Sequence, residues 1–181
     1  MAVFILFALI LAVLKKKKIC KITEYVDLLP LFLVELVYIY FQINALFGNF
    51  YFVQYSSYLQ IAFNLSLLLP ILKRCLYKQA IIGAGLVCIG SILNTIVINA
   101  NNGKMPVFAT LSRLTGYFKE SSFSMGVDNV HILMNSDTKL NILADYIDTG
   151  FSIMSIGDLF IHGFVSLIVY YVILDVHERK G

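Results

Sequence analysis

Charge is nearly missing from long stretches of this chain, and that absence limits the folds open to it. Five apolar runs cover residues 3–14, 28–47, 55–72, 80–99 and 159–174, with short polar connections between most of them. A helical bilayer crossing takes about 20 apolar residues. The second to fourth runs are about that long, and the first and last are shorter. With 59 % hydrophobic and 14 % charged residues, the 181-residue chain lacks the polar surface a soluble domain needs. The expected fold is therefore an all-α polytopic membrane protein, one domain over residues 1–181. It has about five transmembrane helices and a partly helical extracytoplasmic segment, re-entrant or interfacial, over about residues 100–157.

Basic residues give the orientation. Ten of the 14 Lys and Arg residues fall on one side if Lys15, Lys16, Lys17, Lys18, Lys21, Lys73, Arg74, Lys78, Arg179 and Lys180 share it. The positive-inside rule then predicts five crossings, with the amino terminus outside and the carboxy terminus in the cytoplasm. The first apolar run does not read as a secretory signal, because its lysines follow it and no small-residue cleavage site does. The net charge of +3 is a topology signal and does not point to nucleic acid; the bilayer is the implied partner. Cys20, Cys75 and Cys88 form no CxxC pair and none lies in the outer segment, so neither a disulfide framework nor structural zinc is expected. No metal or other cofactor is implied.

The long polar stretch from Asn99 to Asp158 carries six acids, Glu120, Asp128, Asp137, Asp145, Asp148 and Asp158. Within it Pro106 suits the first position of a helix. Val107, Leu111, Leu114 and Phe118 recur at helical spacing and predict an amphipathic helix on the outer surface. Residues 120–129 read as loop. Asp137 or Thr138 can cap a second short helix running to Asp145.

Polar residues inside the apolar runs are not scattered evenly. Glu35, Tyr38 and Gln42 share one helical face, Gln60 and Asn64 are a turn apart, and His162 follows Asp158 by one turn. Such groups do not face lipid, so they are expected to converge on a polar interior or an outward-facing pocket. The competing arrangement is plain hydrogen bonding between packed helices. Asp145 and Asp158 each sit in an apolar setting, and a chain folded back through Gly150 brings them together. Two close carboxylates share a proton, one acting as base and the other as acid. The alternative is a capping Asp158 and an Asp145 paired with Lys104, Arg113 or Lys139. His131 is too isolated to be read as a metal ligand.

N-N-G-K-M-P-V from Asn101, then His131, T-K-L-N-I-L-A-D-Y-I from Thr138 and S-I-G-D-L-F-I-H-G from Ser155 span nearly the whole outer segment. Together they resemble an uncharacterised family of small bacterial multi-pass membrane proteins. That likeness implies the fold and a place in the bacterial plasma membrane, and no activity. Between Leu143 and Gly163, L-A-D-Y-I-D and F-S-I-M-S-I-G-D-L-F-I-H-G are similar to the two aspartate motifs of signal peptidase II. This second likeness implies that Asp145 and Asp158 are the catalytic pair of an aspartyl peptidase. Ser155 then stands where that family has asparagine, and Asn102 and Gly103 match part of its N-x-G element. That family also places two membrane helices between its N-x-G element and its first catalytic aspartate, where this chain has none, and spaces its aspartates further apart.

Two classes of function follow as expectations. One is an aspartyl-dyad hydrolase acting on a membrane-anchored peptide, with Asp145 and Asp158 catalytic and Asn101, Asn102, Gly103, Ser155 and His162 around them. The other is a small-solute, ion or lipid-headgroup binding or transport protein using Glu35, Gln42, Gln60, Asn64 and His162. A non-catalytic subunit or assembly factor of a larger membrane complex is a further alternative.

Overall fold

The computed structural model of the chain describes residues 2–17, 22–49, 51–118 and 130–179. The loop expected over residues 120–129 and the side chain of Gln60 lie outside the described residues. The apolar runs are mainly helical: α1 (Ala2–Leu14), α2 (Leu29–Leu46), α3 (Ser56–Ser66), α4 (Leu68–Lys73), α5 (Tyr77–Ala100) and the last helix, Ile156–Glu178. Among the described residues three helical stretches are long and apolar enough to cross a membrane, Thr23–Leu46, Tyr77–Ala100 and Ile156–Glu178. At 23 or 24 residues each extends about 35 Å, which exceeds a hydrocarbon core of about 30 Å.

The remaining two apolar helices are short, Ala2–Leu14 and Ile61–Lys73. α1 has 13 residues, about 20 Å at the helical rise. The third run is broken at Leu67, between α3 and α4. Pro70 explains the break: it has no N–H for the Ser66 carbonyl, and its ring crowds that carbonyl. The sequence pattern of about five crossings therefore becomes three helices of full length and two short apolar ones.

The chain forms two compact units. The first gathers α1, most of α2, α3, α4, the start of α5 and the chain from His162 onward. Its core joins Ile5, Ala8 and Ala12 to Phe63, Leu67 and Ile71 and to Val165, Ile168, Val169, Val172, Ile173 and Val176. Small residues let backbones approach here. A Cβ on Gly83 would lie 1.9 Å from the Phe164 ring, and Ser166 donates a hydrogen bond of 2.8 Å to the Phe4 carbonyl. A buried ion cluster ties three segments of the same unit. Arg74 donates to both oxygens of Asp27, to Asp175 at 2.7 Å and to the Glu24 carbonyl at 2.8 Å.

The second unit gathers residues 41–52 and 88–161. It thus contains the carboxyl ends of α2 and α5 and the start of the last helix, with the polar segment between them. Here the all-α expectation needs correction, because two small sheets are present. β1 (Met105–Val107) pairs in parallel with β2 (His131–Leu133). β3 (Ile147–Asp148) pairs antiparallel with β4 (Ile153–Met154).

Pro106 lies buried in β1 instead of opening a helix. The amphipathic helix predicted from Val107 to Phe118 contracts to α6 (Leu111–Thr115), stopped by Gly116 in the left-handed region at φ 77°. The second predicted helix is a single 3-10 turn, Asn141–Leu143, preceded by Leu140 at φ 58°. With that turn placed, the last helix is named α7 (Ile156–Glu178).

Candidate functional site

β1 is the axis of the polar segment. On one edge its Met105 N–H and Val107 carbonyl bond to Val130 and Met134. On its other edge the Pro106 carbonyl accepts the Asp145 N–H at 3.0 Å, and the Phe108 N–H donates to the Asp145 carbonyl at 2.8 Å. Pro106 offers no N–H on that edge, so the pairing with Asp145 stops at a single bridge. The two edges bring His131 and Asp145 together. Nε2 of His131 lies 3.4 Å from Oδ2 of Asp145, whose side chain is 8 % exposed while that of the imidazole is 34 % exposed. A buried carboxylate beside a half-buried imidazole is an arrangement that orients the ring.

Asp158 is held differently. Ser155 precedes α7 and its hydroxyl accepts the Asp158 N–H at 2.9 Å, while Oδ2 of Asp158 accepts the Ser155 N–H at 3.1 Å. This reciprocal pair is a capping box with aspartate in place of glutamate. Asn94 closes the network: its amide donates to Oδ1 of Asp158 at 2.9 Å, and its oxygen accepts from the Ser155 hydroxyl at 2.8 Å. Gly157 makes the approach possible, because a Cβ there would lie 2.1 Å from the Asn94 oxygen and 2.6 Å from the Gly90 carbonyl. The contacts of Asp145 and Asp158 thus run to different partners, imidazole for one and helix cap for the other.

Asp148 is the acid that sequence reasoning passed over. Its Oδ2 accepts the N–H groups of Thr110 (2.7 Å) and Ser112 (2.9 Å) and the Ser112 hydroxyl (2.8 Å), and its Oδ1 accepts the Gly150 N–H at 2.8 Å. Partial burial pushes this carboxyl up, but the hydrogen bonds outweigh it and hold the group below the usual carboxylate range. The available signal was D-T-G, an aspartate two residues before a glycine, which favours a local turn. Tyr117 in the same unit is pushed up by burial.

The other predicted residues are placed as follows. Asn101 is buried at the end of α5, donating to the Val97 and Lys139 carbonyls (both 2.9 Å) and accepting the Lys139 N–H at 2.8 Å. Asn102 and Gly103 form the exposed turn after it, at φ 56° and 83°. Gln42 donates to the Phe151 carbonyl at 3.0 Å. Glu35 is buried, and its Oε1 accepts the Ala2 N–H at 2.7 Å, at the start of α1. Asn64 is exposed, and His162 packs its ring 5.1 Å from that of Phe4. Among the described residues no group of three His, Cys, Asp or Glu side chains is arranged to hold a metal ion.

No curated protein and no solved structure matches this sequence. Nothing in these comparisons therefore supports the likeness of residues 143–163 to signal peptidase II. One family does match, over residues 3–170, nearly the whole chain. The protein belongs to that family, described as Family of unknown function (DUF5317).

Proposed function

We propose that this protein crosses the bacterial plasma membrane five times, with its amino terminus outside and its carboxy terminus in the cytoplasm. In this reading residues 100–157 lie outside and form a hydrolytic site for a membrane-anchored peptide, centred on Asp145. The distribution of basic residues supports the orientation. The observation that carries the chemistry is the buried Asp145 carboxylate 3.4 Å from the half-buried His131 imidazole. The imidazole takes a proton from water as the water oxygen bonds to the peptide carbonyl carbon. It returns that proton to the amine as the C–N bond breaks, and Asp145 stabilises the imidazolium between the two steps. The variant of this reading pairs Asp145 with Asp158, the two carboxyls sharing the proton.

A second reading is a non-catalytic subunit of a larger membrane complex. It draws on the bonding of Glu35, Gln42 and Asn94 to groups within the chain itself.

The test compares the amino termini of membrane proteins from cells carrying the wild type, His131→Ala, Asp145→Asn, Asp158→Asn or the exposed control Asp137→Asn. Peptides made by the wild type and Asp137→Asn, and absent with folded His131→Ala and Asp145→Asn, are expected. Loss with folded Asp158→Asn as well favours the dyad. Identical termini in wild-type and Asp145→Asn cells remove the hydrolase and leave the subunit reading.

A further inference from the structure

The second unit carries an apolar rim, and we propose that this rim sits in the interfacial layer of the membrane. Leu111 (51 % exposed), Leu114 (84 %) and Phe151 (51 %) form it. The first two lie three residues apart on α6, and therefore on neighbouring faces of the helix. Phe151 belongs to the turn against which α6 packs. The Thr115 hydroxyl donates to the Gly150 carbonyl, and a Cβ on Gly150 would lie 3.8 Å from that of Leu111.

Three observations supply the occupant. The polar segment leaves α5 at Ala100 and re-enters α7 at Ile156, and both helices are long and apolar enough to span. Both ends of the segment are thereby tethered where spans end. Gln42, four residues before the end of α2 at Leu46, bonds the Phe151 carbonyl, so the turn sits level with the last turn of a third such helix. Arg113, exposed on the same short helix with its guanidinium 5.6 Å from the centre of the Phe118 ring, puts a positive charge beside the leucines. Apolar side chains with a neighbouring arginine suit the boundary between acyl chains and phosphates, where the leucines bury and the guanidinium reaches the headgroups. Single exposed leucines are ordinary; exposed apolar residues on α6 and on the turn packed against it, at the ends of apolar helices, are not.

The inference rests on the membrane reading and is independent of the chemistry at Asp145. The chain has no tryptophan, so each introduced one is a sole reporter. Leu114→Trp and Phe151→Trp are compared in reconstituted phosphatidylcholine vesicles with Ser136→Trp, on an exposed turn, and Ile92→Trp, exposed on α5. Blue-shifted emission from Leu114→Trp and Phe151→Trp is expected. It should be quenched by lipids brominated high on the acyl chain and protected from aqueous iodide, with Ser136→Trp showing the reverse. Iodide quenching of Leu114→Trp and Phe151→Trp while Ile92→Trp is quenched by bromolipid overturns the rim alone. Failure of bromolipid to quench Ile92→Trp overturns the membrane reading with it.

Discussion

Replacing Arg74 with alanine should cost more than any other single polar change in the first unit. The guanidinium is 7 % exposed and the Asp27 side chain 0 % exposed, and Arg74 bonds both Asp27 oxygens. Asp175, at 22 % exposure, keeps a second cation in Arg179 at 3.0 Å. Asp27 has no such reserve among the hydrogen bonds just described. Removing one partner of a buried pair leaves an uncompensated charge, which costs about 3–5 kcal/mol. For a chain of this size that corresponds to a fall of roughly 6–20 °C in the unfolding midpoint. Circular dichroism melts in detergent micelles measure it. The same reasoning requires that Asp27→Asn with Arg74→Gln recover most of the loss, because neutral partners carry a far smaller desolvation penalty. A loss below about 1 kcal/mol for Arg74→Ala would mean the cluster is solvated and worth no more than a surface pair.

Asp148→Asn should destabilise the second unit by about 1–3 kcal/mol at neutral pH through weaker charge-assisted bonds to the start of α6. Because the folded carboxyl lies below its usual value of 3.8, its contribution is complete above that value. It is lost as pH falls through the folded value. The gap between wild type and variant in melts should narrow there, and a gap unchanged at the acid end would refute the assignment. Gly157→Ala should prevent close packing at the start of α7, whereas Gly85→Ala, with nothing within 4 Å of its Cβ, should be neutral or stabilise by up to about 1 kcal/mol. Comparable midpoints for the two would contradict the geometry. Asn101→Leu should cost about 2–4 kcal/mol by leaving the Lys139 backbone groups without their amide partner. Asn102→Gly should cost nothing, since glycine takes φ 56° more readily. Melts of the two purified variants decide both.

Apolar runs made the helices legible, because a long run without charge has few ways to satisfy its backbone except internally. The break at Leu67 was also written in the chain, as Pro70. What periodicity could not show was the polar segment. Val107, Leu111, Leu114 and Phe118 keep helical spacing, yet Val107 belongs to a strand whose partners begin at His131, a pairing no local pattern encodes. The same distance hid the link between His131 and Asp145, which share no local motif. Arg74 read as one more basic anchor of topology, and only packing shows it to be the hub of a buried cluster.

The acids gain a common explanation from where they ended up. Carboxylates in an apolar setting suggested chemistry because desolvating a charge is costly. Unsatisfied N–H groups at the start of a helix are costly in the same setting, and a carboxylate placed there offsets both penalties at once. Glu35 does this for the start of α1, Asp148 for α6 and Asp158 for α7. These three acids, on elements far apart in sequence, therefore need no function beyond closing helices. Asp145 does not fit that pattern. Its backbone completes the edge of β1, and its side chain turns to an imidazole instead of a helix end. Apolar flanks alone therefore did not separate Asp145 from Asp158; the identity of the partner does, and it makes Asp145 the aspartate whose replacement tests the proposed hydrolysis most directly.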